Sequence, residues 1–133
     1  MTVVSLSLPG NPISFRSRRQ NLERKQFREM AQQIYTAKPI KGIMEVDLTF
    51  IMPIPKSMEG RAKKVDALPH TKKPDIDSLT RFAIKNLEGI VYRESGQIIR
   101  INAIKLYGHV PETRLSLRKM TVDEFNEQYE QVM

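Results

Sequence analysis

The chain has 133 residues, about one ordinary domain with a single core. Hydrophobic residues make up 40% of it and are spread along its whole length, which argues against an intrinsically disordered protein. Twenty-two Lys and Arg against fifteen Asp and Glu give a formal charge of +7 and a pI near 9.8, so the surface field attracts polyanions and nucleic acid is the first partner to consider.

Cysteine is absent, which excludes a disulfide framework, a thiolate zinc site and a cysteine nucleophile. No basic segment followed by an apolar core opens the chain, and no apolar run reaches the length of a membrane span. A soluble, cytoplasmic protein with no membrane partner is expected, folded as one domain over residues 1–133.

Residues 3–8 alternate. Val4, Leu6 and Leu8 fall on one side and Val3, Ser5 and Ser7 on the other, until Pro9-Gly10 and Pro12 end a short strand. Between Gln20 and Thr36, the positions Phe27, Met30, Ala31, Ile34 and Tyr35 make one apolar stripe at helical spacing, with Glu23, Lys25 and Glu29 opposite. Residues 43–51 alternate again, with Met44, Val46, Leu48 and Phe50 toward a core and Glu45, Asp47 and Thr49 toward water.

Residues 53–73 hold three prolines and six Lys or Arg with little periodicity, and read as a long functional loop. A second helix is expected from Asp77 to Glu88, since Leu79, Phe82, Ala83 and Leu87 share a face and Gly89 supplies the stop. Residues 98–106 and 113–118 read as strands joined through Tyr107-Gly108-His109-Val110-Pro111, which suggests an antiparallel pair. Thr121-Val122-Asp123-Glu124 is a capping-box pattern opening a short last helix. The expected fold class is α+β: a two-layer domain, with a small mixed sheet of about four strands packed by two main helices plus a short C-terminal helix.

The chemistry concentrates in Lys72-Lys73-Pro74-Asp75-Ile76-Asp77, where two carboxylates stand two residues apart at a helix entrance. Pro74 holds the lead-in extended, so Asp75 projects from the lead-in while Asp77 projects from the first turn, and both can reach one cation. A hard dication such as Mg²⁺ needs only one or two carboxylates besides phosphate and water oxygens. Taken alone, Asp-x-Asp here is more often a helix cap than a metal site.

The combination of residues says more. Pro53 to Ser57, His70-Thr71, Lys73-Pro74-Asp75-Ile76-Asp77 and Gly89-Ile90-Val91-Tyr92-Arg93-Glu94-x-x-Gln97-Ile98 resemble the RusA family of Holliday-junction resolvases. The likeness extends to the Pro9-Gly10-Asn11-Pro12 opening and the Tyr107-Gly108 turn. It implies a small α+β homodimer that binds four-way DNA junctions and cuts two strands with Mg²⁺, or with Mn²⁺ as a substitute, of a kind that often accompanies phage-derived DNA.

The family's two aspartates match Asp75 and Asp77. Its third carboxylate comes from an Asp-Asp-x-Gln motif, whose first Asp matches Glu94 and whose catalytic second Asp matches Ser95. The family's helix lysine is Arg81 here, which keeps the charge but cannot give up its proton, and the Asn after the second aspartate is Ser78. Arg81 also lies four residues after Asp77, where a plain intrahelical ion pair is the ordinary reading.

Expected metal ligands are therefore Asp75, Asp77 and Glu94, with Arg81 stabilising phosphate charge. Expected DNA contacts are Arg16, Arg18, Arg19, Lys56, Arg61, Lys63, Lys64, His70, Lys72 and Lys73, although a solvated basic face and an uninvolved surface histidine are the ordinary readings of such residues one at a time. The alternative function is a junction-binding protein that keeps the fold but has lost catalysis through Ser95; a weaker one is RNA binding.

Overall fold

The structure is a computed structural model and describes residues 2–58 and 68–132. Five strands form one mixed sheet in the order β1-β5-β2-β4-β3, comprising β1 (Thr2–Pro9), β2 (Met44–Pro53), β3 (Leu68–Pro69), β4 (Ile98–Gly108) and β5 (Glu112–Lys119). The helices are α1 (Gln20–Ile34), α2 (Ile76–Asn86) and α3 (Val122–Tyr129). The class is α+β, with five strands where about four were expected. The fifth is β3, whose two residues pair with Tyr107 and Leu106 and are too few to show any period.

The alternating segments bury the side their pattern predicts. Leu8, Met44, Val46, Leu48, Phe50, Leu115 and Leu117 are all buried, and Phe27 and Ala31 of α1 with Leu79, Phe82 and Ala83 of α2 complete the core. Phe27 meets Phe82 edge to face, with ring centroids 5.3 Å apart, an arrangement that adds about 0.5–1.5 kcal/mol to the area both rings bury.

One expected pairing is overturned. β4 and β5 are not neighbours: β2 lies between them, parallel to β4 and antiparallel to β5. The connection from Gly108 to Glu112 passes over the end of β2, and Gly108 comes so close that a β-carbon there would collide with Ile51 Cγ2. A short link between alternating segments reads as a hairpin, but alternation carries no information about which strand lies between.

The sheet's second face is also less wet than expected. Glu45 is only 2% exposed; its carboxylate accepts hydrogen bonds from Tyr129 Oη at 2.6 Å and Gln128 Nε2 at 3.2 Å, with Arg100 at 3.6 Å. α3 therefore folds over this end of the face, beginning at the expected capping box: Glu124 N donates to Thr121 Oγ1 and Thr121 N to Glu124 Oε1. No described helix is long and apolar enough to cross a membrane.

Candidate active site

α2 begins at Ile76 because its apolar positions from Leu79 onward seat it on the sheet, and the Lys73-Pro74 peptide before it is cis. Asp75 occupies the N-cap position in an extended conformation, φ −71° and ψ 152°, the backbone geometry usual for an N-cap. Its main-chain oxygen accepts from Leu79 N at 3.2 Å. Its carboxylate does not cap the helix; it accepts instead from Lys73 Nζ at 2.6 Å. Asp77 lies exposed in the first turn, where the helix dipole favours negative charge.

The segment after β1 is tied to this helix end. Ser14 Oγ and Ser78 Oγ are 2.6 Å apart, and Phe15 N donates to Ser78 O at 3.1 Å. Between them opens a cleft of about 500 Å³ whose lining includes Ser14, Arg16, Glu23, Lys73, Asp75 and Ser78. The hydrogen bond from Lys73 holds the Asp75 carboxyl below the usual carboxylate range, and the charges of Lys73, Lys105 and Arg16 push the same way. Asp75 is therefore ionised at neutral pH, in a cleft that Arg16, Lys73 and Glu23 share with it.

Arg81 stands one turn beyond Asp77, but its guanidinium lies over the Phe15 ring, 4.1 Å from the centroid, rather than in an ion pair with Asp77. It lines a second groove, of about 270 Å³, with Gln20, Arg24, Lys85 and Glu88. Asp77, Arg81 and Lys85 thus recur every fourth residue along the exposed side of α2.

The segment 89–97 closes the other end of α2. Gly89 has φ +79°, the left-handed stop expected of it. Tyr92 is fully buried; its hydroxyl donates to Ile84 O, and burial pushes its ionisation well above the ordinary phenol value. Arg28 of α1 donates to Asn86 O and Glu88 O at 2.9 and 3.0 Å, satisfying carbonyls left free at the helix end. Gln97 ties the following turn to Ile40 O and Gly42 O, both at 2.9 Å. Most of this motif is therefore structural.

Glu94 sits on that turn, exposed. The neighbouring Ser95 Oγ accepts from Lys85 Nζ at 2.9 Å, and Ser95 N donates to Glu88 Oε2 at 2.8 Å. Lys85 is eight residues beyond Asp77, about 12 Å along the helix axis. Among the described residues, no three His, Asp or Glu side chains gather into one metal-binding group. One chain thus sets Asp75 and Asp77 at the start of α2, with Asp75 lining the cleft, and leaves Glu94 beyond the opposite end of that helix.

Of the expected DNA contacts, Arg16, Arg18, Arg19, Lys56, Lys72 and Lys73 are exposed, and Arg16 and Lys73 reach the cleft itself. Arg61, Lys63 and Lys64 lie outside the described residues. His70 is not on the surface: it is 7% exposed, 4.7 Å from the Tyr107 ring, and its Nδ1 has no partner among the described residues. Burial, then the charge of Lys105, lowers its pKa from the usual histidine value.

The sequence reading missed Glu23, Arg24, Lys85 and Lys105. Only Glu23 carried a usable signal, as an acidic residue in a first helical turn beside the Arg16-to-Arg19 run.

The donors present suit a hydrated hard dication: two exposed carboxylates, neither consumed by capping, with hydroxyls of Ser14 and Ser78 behind them. The family model for endodeoxyribonuclease RusA matches residues 14–118, which contain most of the cleft lining, α2 and the 89–97 turn. A Bacillus subtilis (strain 168) protein described as uncharacterized protein YqaN is 25% identical over 87 residues, 62% of this chain. The match spans 61% of that relative's length. On the family match, which covers most of its length, the chain belongs to the endodeoxyribonuclease RusA family.

Proposed function

We propose that this protein is a Mg²⁺-dependent, structure-selective endonuclease that cuts four-way DNA junctions as a homodimer. The observation that carries the reading is the Asp75 carboxylate, which stands at a helix N-cap without capping it and lines a cleft with Arg16 and Lys73, two residues before Asp77 in the first helical turn. Mg²⁺, or Mn²⁺ in its place, supplies when bound the charge that neutralises phosphate oxygens and makes water nucleophilic.

The chain's own residues do the rest. Asp75 and Asp77 would hold the ion, and Lys73, whose side chain is 82% exposed, is free to swing away from Asp75. Arg16 binds the phosphate at the cleft, while Arg81 and Lys85 take neighbouring phosphates along α2, with Arg18, Arg19 and Arg24 beyond. Glu94 enters this reading from a second protomer, because within one chain α2 separates it from Asp77. A two-fold symmetric dimer also suits a junction that presents two cleavage points.

The test is a labelled four-way junction and a matched linear duplex, each incubated with and without Mg²⁺. Junction-selective, metal-dependent cutting is expected. Tight junction binding with no cutting in Mg²⁺ or Mn²⁺ supports instead a binding protein that has lost catalysis, a reading favoured by the Lys85–Ser95 bond where the family carries its third carboxylate.

A further inference from the structure

Lys105 is a lysine in an unusual place. It lies on β4 opposite Phe50, on the side of the sheet that bears the core, and is only partly exposed. An ammonium there has three donors and no acceptor, so it needs carbonyl or carboxylate partners. Its Nζ donates to Lys72 O at 2.7 Å and Pro74 O at 2.8 Å. These two carbonyls bracket Lys73, and Pro74 directly precedes Asp75.

The same residue holds the chain a third time through its main chain, since His70 N donates to Lys105 O at 3.3 Å. Segment 70–74 is thus pinned at His70, Lys72 and Pro74 by one residue of a strand that is itself paired with β2 along its length. Charge-assisted bonds of this kind are stronger than neutral ones. Lys73 is different: its ammonium sits on the carboxylate itself and is largely in water, so it can exchange, whereas Lys105 is bonded to the backbone behind the carboxylate and stays.

We infer that Lys105 is a positioning residue of the active site, fixing the 72–74 turn and so the direction in which Asp75 projects into the cleft. The inference rests on the reading of Asp75 as a metal ligand. It assigns Lys105 no contact with DNA. Groups that orient a metal ligand from behind commonly cost 10- to 100-fold in metal affinity when removed, by the general rule for such supports.

The experiment compares wild type, K105M, K105R and D75N in three measurements: Mg²⁺ binding by calorimetry without DNA, junction binding without metal, and thermal unfolding. K105M is expected to weaken Mg²⁺ binding about tenfold while metal-free junction binding is unchanged. K105R, which can still donate to both carbonyls, should recover most of the loss. D75N should lose Mg²⁺ binding altogether.

Wild-type Mg²⁺ affinity in K105M, with D75N defective, overturns the role of Lys105 alone. Wild-type Mg²⁺ affinity in D75N overturns the reading of the site and this inference with it. If K105M loses junction binding as much as metal binding, Lys105 is a phosphate contact and the inference fails. If K105R loses as much metal affinity as K105M and both melt early, the residue serves only the fold, and the inference fails again.

Discussion

The Asp75 carboxylate lies 2.6 Å from Lys73 Nζ and makes no bond to the helix that Asp75 begins. A cap and a ligand make opposite demands on a carboxylate, since a cap spends its oxygens on backbone N–H groups and a ligand leaves them free. D75N and D77N are therefore expected each to abolish Mg²⁺-dependent junction cleavage while binding junctions as well as wild type or more tightly, because repulsion toward phosphate falls. D75A should unfold at nearly the wild-type temperature. A variant that cuts at the wild-type rate, or a clear stability loss in D75A, identifies that aspartate as a cap.

DNA affinity should have two separable sources. R18A/R19A and R24A/K85A each remove two exposed cations, one pair beside the cleft and the other along the second groove. Each pair should lower the slope of log K against log salt by about 2 for duplex and junction alike, since each phosphate contact contributes about 0.9. An unchanged slope for either pair shows that it faces solvent in the complex.

His70 should make stability depend on pH. Its folded-state pKa is depressed by burial, so between that value and the ordinary histidine value near 6.5 the unfolded chain binds the extra proton. Stability then falls as the pH drops below about 6.5 and levels off below the folded-state pKa. H70F keeps an aromatic ring against Tyr107 and cannot titrate. Urea midpoints measured from pH 7.5 to 5.5 should decline more steeply in wild type than in H70F; parallel curves would mean that His70 is not held neutral.

Much of this architecture was readable in advance, for a definite reason. Where a segment has one buried face, as in residues 3–8, 20–34 and 44–50, the apolar period records it directly. Gly89 and the Thr121–Glu124 box work the same way, because a left-handed stop and a helix cap each demand particular residue types. What could not be read depends on distant parts of the chain.

Lys105 occupies an alternating strand in which lysine reads as a water-facing residue, and only its bonds to Lys72 and Pro74, more than thirty residues away, reveal otherwise. Glu45 looked solvent-facing until α3 covered it. The β4-β2-β5 order left no local trace beyond the need for glycine at 108. For the site, the Asp75-Ile76-Asp77 spacing located two carboxylates correctly at a helix entrance, but spacing gave no hint that Glu94 stands at the far end of the same helix.

That separation yields the most decisive experiment. If Glu94 acts on the ion held by Asp75 and Asp77 of a second protomer, D75N and E94Q homodimers should each be inactive, because every site in them lacks one carboxylate. A mixed dimer differs. One of its sites combines both mutations, but the other combines Asp75 of the E94Q chain with Glu94 of the D75N chain and is whole. Co-refolding the two inactive proteins should therefore restore activity, and the product should be a nick in one strand, since each mixed dimer has one working site. Sites contained within single chains predict no recovery, because each chain then carries its own defect. Normal cutting by the E94Q homodimer removes Glu94 from the metal site entirely. A strict monomer by light scattering, both free and on a junction, would sink the dimer as well.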